Sequence, residues 1–268
     1  MGSNVAWFAK EKYDVLATSL HPQEIKGCKE QKMDVTSVKD CLDILRKFKP
    51  DVVVHCAACV NLRVCETSNE IAHRLNVEAT SNLVKACEEV NSAIIYISTD
   101  WVFDGRKKLG ERYTEEDKPR PINYYGQSKL EGELIVQKAS VQWLVARPAH
   151  IYGVNFAMPK EKGLYEEHIA GRGGFAMNAI NAMKMGKEVG QPPDVYQTPA
   201  LAIDIAETVL ELYESGLSGI FHISGRDCIS RFNFARELCN TFDLDVSLVK
   251  PVNMDDFART FNIDPETT

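Results

Sequence analysis

Short apolar runs alternate with amphipathic stretches along most of the chain. Tyr13–Ser19 reads as a strand, Lys32-Met33-Asp34 as the end of a second, and Ser37–Phe48 as a helix. Asp51–Cys56 and Ala93–Ile97 are near-continuous apolar runs, the pattern of parallel strands covered on both faces. Apolar positions recur at helical spacing over 70–90 and again over 123–139, and Val141–Ala146 follows as a strand. This β-α alternation predicts an α/β protein built on a doubly wound parallel sheet. After Gly153 the pattern loosens. Met158–Gly174 carries charges and glycines with few apolar anchors and is expected to be a loop or lid. Helices are predicted over 175–185, over 201–213, where positions 201, 205, 209 and 212 make one apolar face, and over 230–242 with Ser230 as N-cap. Gly219–Ile223 reads as a short strand.

Composition narrows the classes of function. A length of 268 residues suits one large domain, or a domain with a smaller lobe. A net charge of −7 argues against a nucleic-acid surface. No apolar run approaches the ~18 residues of a membrane span, and the N-terminus lacks a signal-peptide core. The eight cysteines read as reduced thiols of a cytoplasmic protein. Cys56-Ala57-Ala58-Cys59 matches C-x-x-C, with His55 and Cys65 close by. It has no second pair and closes a strand, so it reads as small residues beside a groove, and no metal site is expected.

Two segments carry the candidate chemistry. Ser98-Thr99-Asp100-Trp101 directly follows the strand at 93–97, and Tyr125-Gly126-Gln127-Ser128-Lys129 opens the helix predicted over 123–139. A Tyr and a Lys four positions apart share one helix face. A free phenol titrates near ~10, and a nearby ammonium lowers that value. Thr99 could orient a carbonyl oxygen, Tyr125 exchange a proton with it, and Lys129 supply the positive charge. Alone, Y-x-x-x-K is more often the pattern of a half-exposed aromatic beside a solvated amine. Its setting at the carboxyl end of a strand, where ligands bind in open α/β sheets, favours the chemical reading.

On these segments the chain resembles the extended short-chain dehydrogenase/reductases, and within them the dTDP-4-dehydrorhamnose reductase group. The matching stretches are V-V-V-H-C-A-A at 52–58, L-N-V-E-A-T-S-N-L at 75–83, Y-I-S-T-D-W-V-F-D-G at 96–105 and Y-Y-G-Q-S-K-L-E-G-E at 124–133. R-P-A-H-I-Y-G at 147–153, Q-T-P-A-L-A-I-D-I-A at 197–206 and F-H-I-S-G at 221–225 extend the match over nearly the whole chain. The resemblance implies a Rossmann-like fold. Residues 1–153 would be the dinucleotide-binding domain, and 154–268 mainly a small substrate lobe with some segments returning to the main sheet. It implies an NAD(P)-dependent reductase of a nucleotide-linked 4-keto-deoxysugar, with Thr99, Tyr125 and Lys129 as catalytic residues, and a homodimer. Two alternatives stay open. Epimerases and dehydratases of the superfamily use the same Tyr and Lys. The group also includes a non-catalytic regulatory relative, the beta subunit of methionine adenosyltransferase.

The start of the chain departs from that family. A strand, a glycine-rich turn and a helix should come first, because the glycines let backbone approach a pyrophosphate at the helix N-terminus. Here Met1-Gly2-Ser3-Asn4 leads at once into a helix expected over 5–11. Gly2 matches the last glycine of the turn; the strand and the earlier glycines have no counterpart. That strand would lie between those at 13–19 and 51–56. Its loss should either leave backbone groups of both neighbours unpaired, at about 1–3 kcal/mol for each buried group, or force the two together. A misplaced start, a natural truncation that binds nucleotide poorly and an artificial Met-Gly-Ser scar compete, and an incomplete N-terminus is the expectation. Against the same resemblance, the C-terminus is expected to be short of the family's final elements.

The resemblance assigns further residues. Gly2, Ser19, Asp34, Val35, Ala57, Ala58, Lys129 and Pro148 are expected around the cofactor, and Asp100, Trp101, His150 and Thr198 around the substrate. Asp34 also reads as an N-cap, Asn76 as a polar residue under the site or on the surface, and His150 as a shape or hydrogen-bonding residue. Thr18-Ser19-Leu20-His21 offers no acid to a ribose 2′-OH, which points to NADP(H) over NAD(H), with His21 or Lys26 as phosphate partners.

Overall fold

The computed structural model describes residues 1–157 and 174–260. The loop expected over 158–174 lies outside the described residues, except Gly174, which opens a helix. The first half runs α1 (Gly2–Ala9), β1 (Leu16–Ser19), β2 (Lys29–Lys32), α2 (Val38–Phe48), β3 (Val52–His55), α3 (Leu62–Thr67), α4 (Asn69–His73), α5 (Ala79–Val90), β4 (Ala93–Ile97), α6 (Tyr124–Val136) and β5 (Trp143–Pro148). A π-helical turn at Arg74–Glu78 separates α4 from α5, where periodicity alone predicted one helix. The second half adds β6 (Ile151–Tyr152), α7 (Gly174–Lys184), β7 (Val189–Gln191), β8 (Tyr196–Gln197), β9 (Ala200–Leu201), α8 (Ala202–Glu214), β10 (Gly219–Ile223), β11 (Ile229–Ser230), α9 (Arg231–Phe242), β12 (Val249–Pro251) and α10 (Met254–Thr260).

The main sheet is parallel, in the order β10-β5-β4-β3. All five residues of β4 are buried, and their alternation defines the layers. Ile94 and Tyr96 pack with Cys41, Ile44, Leu83 and Val136 of α2, α5 and α6. Ile95 and Ile97 pack with Ala9, Ile205 and Val209 of α1 and α8 on the opposite face. Helices therefore cover both faces of a Rossmann-like sheet, as the unbroken apolar runs predicted. A second core joins α7, α9 and β12 through Ala179, Ile180, Phe234, Leu238 and Val249. The chain beyond 153 thus supplies this second core and also returns β10 and α8 to the main sheet. No helix among the described residues is long and apolar enough to cross a membrane.

Helix starts follow local chemistry. Asn123 caps α6 by accepting from the Gly126 amide at 2.7 Å, and Ser230 caps α9 by accepting from the Asn233 amide at 3.2 Å. The cap of α2 is Ser37, not Asp34. Asp34 instead accepts from the Thr36 amide and hydroxyl, at 2.9 and 2.7 Å, and these bonds hold its carboxyl below the usual range.

The N-terminal half of the sheet is divided. β1 pairs with β2 in a separate parallel ribbon, and among the described residues β3 pairs only with β4. A cleft of about 1020 Å³ separates β1 from β3, lined by 15–19, by 52–56 and by Val5, Ala6, Ile44 and Leu45. Of the two outcomes expected for the strands at 13–19 and 51–56, the structure has open edges and not direct pairing. Gly2 is also repositioned by the structure. It is the first residue of α1, not part of a turn before it, and a side chain there would meet only Cys56 at 3.5 Å.

Candidate active site

Two glycines bring the candidate residues together. A Cβ at Gly126 would lie 2.1 Å from the Trp101 carbonyl oxygen. A Cβ at Gly132 would lie 2.3 Å from the Tyr96 hydroxyl and 2.9 Å from the Asn76 carbonyl oxygen. Only glycine lets α6 rest directly on β4 and on the 3-10 turn at Asp100–Val102 that follows it. This contact sets Tyr125 and Lys129 beside the end of β4. Thr99 is buried there; its hydroxyl donates to Asp100 Oδ1 and accepts from the Trp101 amide, both at 3.2 Å. The Trp101 ring meets Tyr125 edge-on, with centroids 6.3 Å apart.

Burial pushes the Tyr125 phenol well up, a hydrogen bond with Thr99 opposes this, and the Asp100 charge adds to it. Asp100 itself is raised to about 6 by burial. Burial lowers Lys129 to about 7, and Glu133 opposes that shift. The expectation that Lys129 lowers the phenol of Tyr125 is not what the structure has. Lys129 Nζ donates to the Ile97 carbonyl oxygen at 2.8 Å and lies 4.0 Å from the centre of the Tyr96 ring. A desolvated ammonium needs an acceptor, and here it takes a backbone carbonyl and an aromatic face.

Lys129 predicts a pH dependence of stability. Its folded value of about 7 lies below the ordinary 10.5. Below pH 7 both folded and unfolded chains hold the proton, and the burial penalty is fully present. Above it the folded chain releases the proton first, so stability rises with pH. The free energy of urea unfolding should therefore climb between pH 7 and about 8.5. Lys129→Met should flatten that climb; an equal climb in the variant would assign it to other groups.

Behind Lys129 lies a buried ion pair. Glu133, one turn further along α6, accepts from Arg147 Nε and Nη2 at 2.9 and 2.6 Å and from the Ser98 hydroxyl. Asn76 is buried as well; it accepts from the Cys59 amide at 2.7 Å and donates to Ser128 Oγ at 2.8 Å, tying the π-helical turn to α6. Glu133, Gly126, Gly132 and Ser98 lie within the quoted segments, but the sequence assigns them no role of their own. The available signal was an acid spaced four positions from Lys129 on a face that the surrounding pattern buries.

The other expected residues divide into groups. Gly2, Ser19, Asp34, Val35, Ala57 and Ala58 all line the cleft between β1 and β3, with His21 beside them; Lys26, Lys129 and Pro148 are not among its lining residues. Pro148 is buried in β5 opposite Ile223. Asp100 and Trp101 flank Thr99 and Tyr125. His150 packs edge-on against Phe175 and Phe234 at the border of the second core, and the Thr198 carbonyl accepts from the Gly225 amide at 3.2 Å. The C-x-x-C segment forms no sulfur pair of its own: Cys59 Sγ lies 3.7 Å from that of Cys65. No group of three His, Cys, Asp or Glu side chains among the described residues is arranged to hold a metal.

Comparisons with known proteins show what the whole chain is similar to. The family described as RmlD substrate binding domain matches residues 8–262. The probable low-salt glycan biosynthesis reductase Agl14 of Haloferax volcanii is 29% identical over 97% of this chain and 82% of its own length. Methionine adenosyltransferase 2 subunit beta of Bos taurus is 31% identical over 78% of this chain, which spans 60% of that protein. Among solved structures, a hypothetical dTDP-4-dehydrorhamnose reductase from Sulfolobus tokodaii shares 33% identity at a TM-score of 0.76, covering 93% of this chain and 81% of that one. The dTDP-4-dehydrorhamnose reductase of Bacillus anthracis, solved with NADP, has the same fold at a TM-score of 0.75 and 24% identity, covering 91% of this chain and 85% of that one.

Proposed function

We propose, from the premise that this chain belongs to the RmlD substrate binding domain family, that it is an NAD(P)-dependent reductase of a nucleotide-linked 4-keto-deoxysugar. The observation that supports this most directly is the convergence of Thr99, Tyr125 and Lys129 at the carboxyl end of β4. The rim of the cleft at the carboxyl ends of β1 and β3, and not its depth between the two strands, suits a dinucleotide. Ala57 and Ala58 leave room, Ser19 and Asp34 offer polar groups, and Thr18-Ser19-Leu20-His21 holds no acid. His21 on that rim supports NADP(H) over NAD(H). When bound, the nicotinamide supplies the hydride.

In this reading the chain supplies a proton and its positioning. Thr99 donates to the sugar carbonyl oxygen and holds it toward Tyr125. Tyr125, whose raised pKa keeps it protonated, gives its proton to that oxygen as negative charge develops there. Lys129 holds positive charge below the oxygen, and Asp100 and Trp101 border the sugar. The reading carries with it a cytoplasmic setting and a homodimer. A non-catalytic role, as in the methionine adenosyltransferase relative, is favoured by one observation: among the described residues the β1–β2 ribbon stands apart from β3.

Calorimetry with NADPH and NADH, followed by turnover with dTDP- and UDP-linked 4-keto-6-deoxysugars, tests the proposal. NADPH should bind more tightly than NADH and be consumed one-for-one with the ketone. Conversion of the sugar without net loss of NADPH would make the protein an epimerase or dehydratase. Absence of binding by either cofactor would move it to the non-catalytic reading.

A further inference from the structure

The Lys129 ammonium is buried, and the groups that face it differ in what they offer. Nζ donates to the Ile97 carbonyl oxygen at 2.8 Å. Glu133, one turn further along α6, has both oxygens bonded to Arg147, and one of them also to Ser98. Cys56, beyond β3, faces Lys129 as well, and burial keeps it a thiol. His55 of β3 is pushed down to about 3 by burial and by the Lys129 charge, so its ring is neutral. Tyr125 lies one turn before Lys129 on the same helix and stays a phenol. The remaining neighbour is Tyr96 of β4, whose ring centre is 4.0 Å from Nζ. An aromatic face carries negative charge density, and it attracts a cation more strongly once water is excluded.

Packing and hydrogen bonds hold that ring in place. Tyr96 is fully buried in the core under α6. A Cβ at Gly132 would lie 2.8 Å from Tyr96 Cζ, so glycine lets the helix come down onto the end of the ring. The Tyr96 hydroxyl donates to the Lys129 carbonyl oxygen at 3.5 Å and forms a hydrogen bond with Thr80. Thr80 gives its own hydrogen to the Asn76 carbonyl oxygen at 2.7 Å, which leaves its oxygen to accept from His55 Nε2 at 3.1 Å. The His55 ring lies tilted against Tyr96, with centroids 5.4 Å apart. Burial raises the Tyr96 phenol well above its usual value, so it gives the ammonium a face and not a charge. The rest of β4 is aliphatic. A tyrosine there brings a buried hydroxyl that needs partners of its own, which an aliphatic residue would not.

We infer that Tyr96 is a positioning residue: its ring face, held by Gly132 and Thr80, seats the Lys129 ammonium at the carboxyl end of β4, beside Tyr125. Its part in turnover rests on the reductase reading, while the contact itself can be measured without turnover. In the full chain carrying 13C-labelled lysine, the Lys129 signal is the one that Lys129→Met removes, and its titration midpoint is followed across neutral pH. Tyr96→Phe starts a series continued by 4-fluorophenylalanine and 3,4,5-trifluorophenylalanine at the same position. These keep the shape of the ring and withdraw charge from its face in steps. The Lys129 midpoint should fall along the series, by about one pH unit from first to last. Above neutral pH, kcat should fall in the same order as the ammonium fraction drops, with KM for the keto-sugar and the melting temperature little changed. A purely structural role would move the melting temperature and leave the midpoint in place. Equal midpoints across the series overturn the inference, and so does a falling midpoint with kcat unchanged. A midpoint that falls along the series in a protein that neither binds NADPH nor reduces keto-sugars would sink the reductase reading and leave the Tyr96–Lys129 contact standing.

Discussion

Tyr125→Phe is expected to lower kcat by about 10²–10⁴-fold, the usual contribution of a positioned general acid. The substitution removes one hydroxyl and keeps the ring that meets Trp101 edge-on. The packing of α6 on the 3-10 turn depends on Gly126, which is untouched. Stability and NADPH affinity should therefore stay close to wild type, and the loss should fall on kcat more than on KM. Thr99→Val is expected to lose less activity but some stability, because the Thr99 hydroxyl also accepts from the Trp101 amide. Single-turnover measurements on the two variants separate the roles. A Tyr125→Phe protein that reduces the ketone at the wild-type rate would leave the proposed mechanism without its proton donor.

Glu133→Ala is expected to cost about 3–5 kcal/mol of folding stability. Glu133 and Arg147 have side-chain exposures of 0% and 2%, so removing the carboxylate strands a guanidinium in the interior and takes the acceptor from Ser98. A loss of that size is a large part of the ~5–15 kcal/mol by which a domain is stable. Glu133→Leu combined with Arg147→Met should recover much of it, since Arg147 is then not left as an unpaired cation. The double variant should still lose activity as the pH rises at a lower pH than wild type, because Glu133 is the group that holds charge on Lys129. Urea unfolding of the single and double variants checks the first claim, and the pH–rate profile checks the second. A single variant that loses less than about 1 kcal/mol would show that the pair does not anchor α6.

Several elements are legible in the sequence alone. Ala93–Ile97 and Gly219–Ile223 are strands with the bounds that their apolar runs suggest. Ser230 caps its helix as its position before the periodic segment implied. The strand at the start was read too long: Tyr13, Asp14 and Val15 lie outside β1, whose partner ladder with β2 begins at Leu16. The segment at 62–67 was not read as a helix, because six residues are too few for periodicity to register.

By itself the sequence determined the alternating layers, the Ser230 cap of α9 and the types of residue available at the carboxyl end of β4. Each of these depends on neighbours within a few positions, where periodicity and capping act. Tertiary structure decided the rest. It turned the Lys129 ammonium to the Ile97 carbonyl, made Gly126 and Gly132 contact points, and buried Glu133 against Arg147. It also left β1 and β3 on opposite walls of a cleft and gathered Thr80, Tyr96 and Lys129 from three separate elements. Those outcomes depend on which distant surfaces meet and on how far water is excluded between them. Neither quantity is written in local order along the chain.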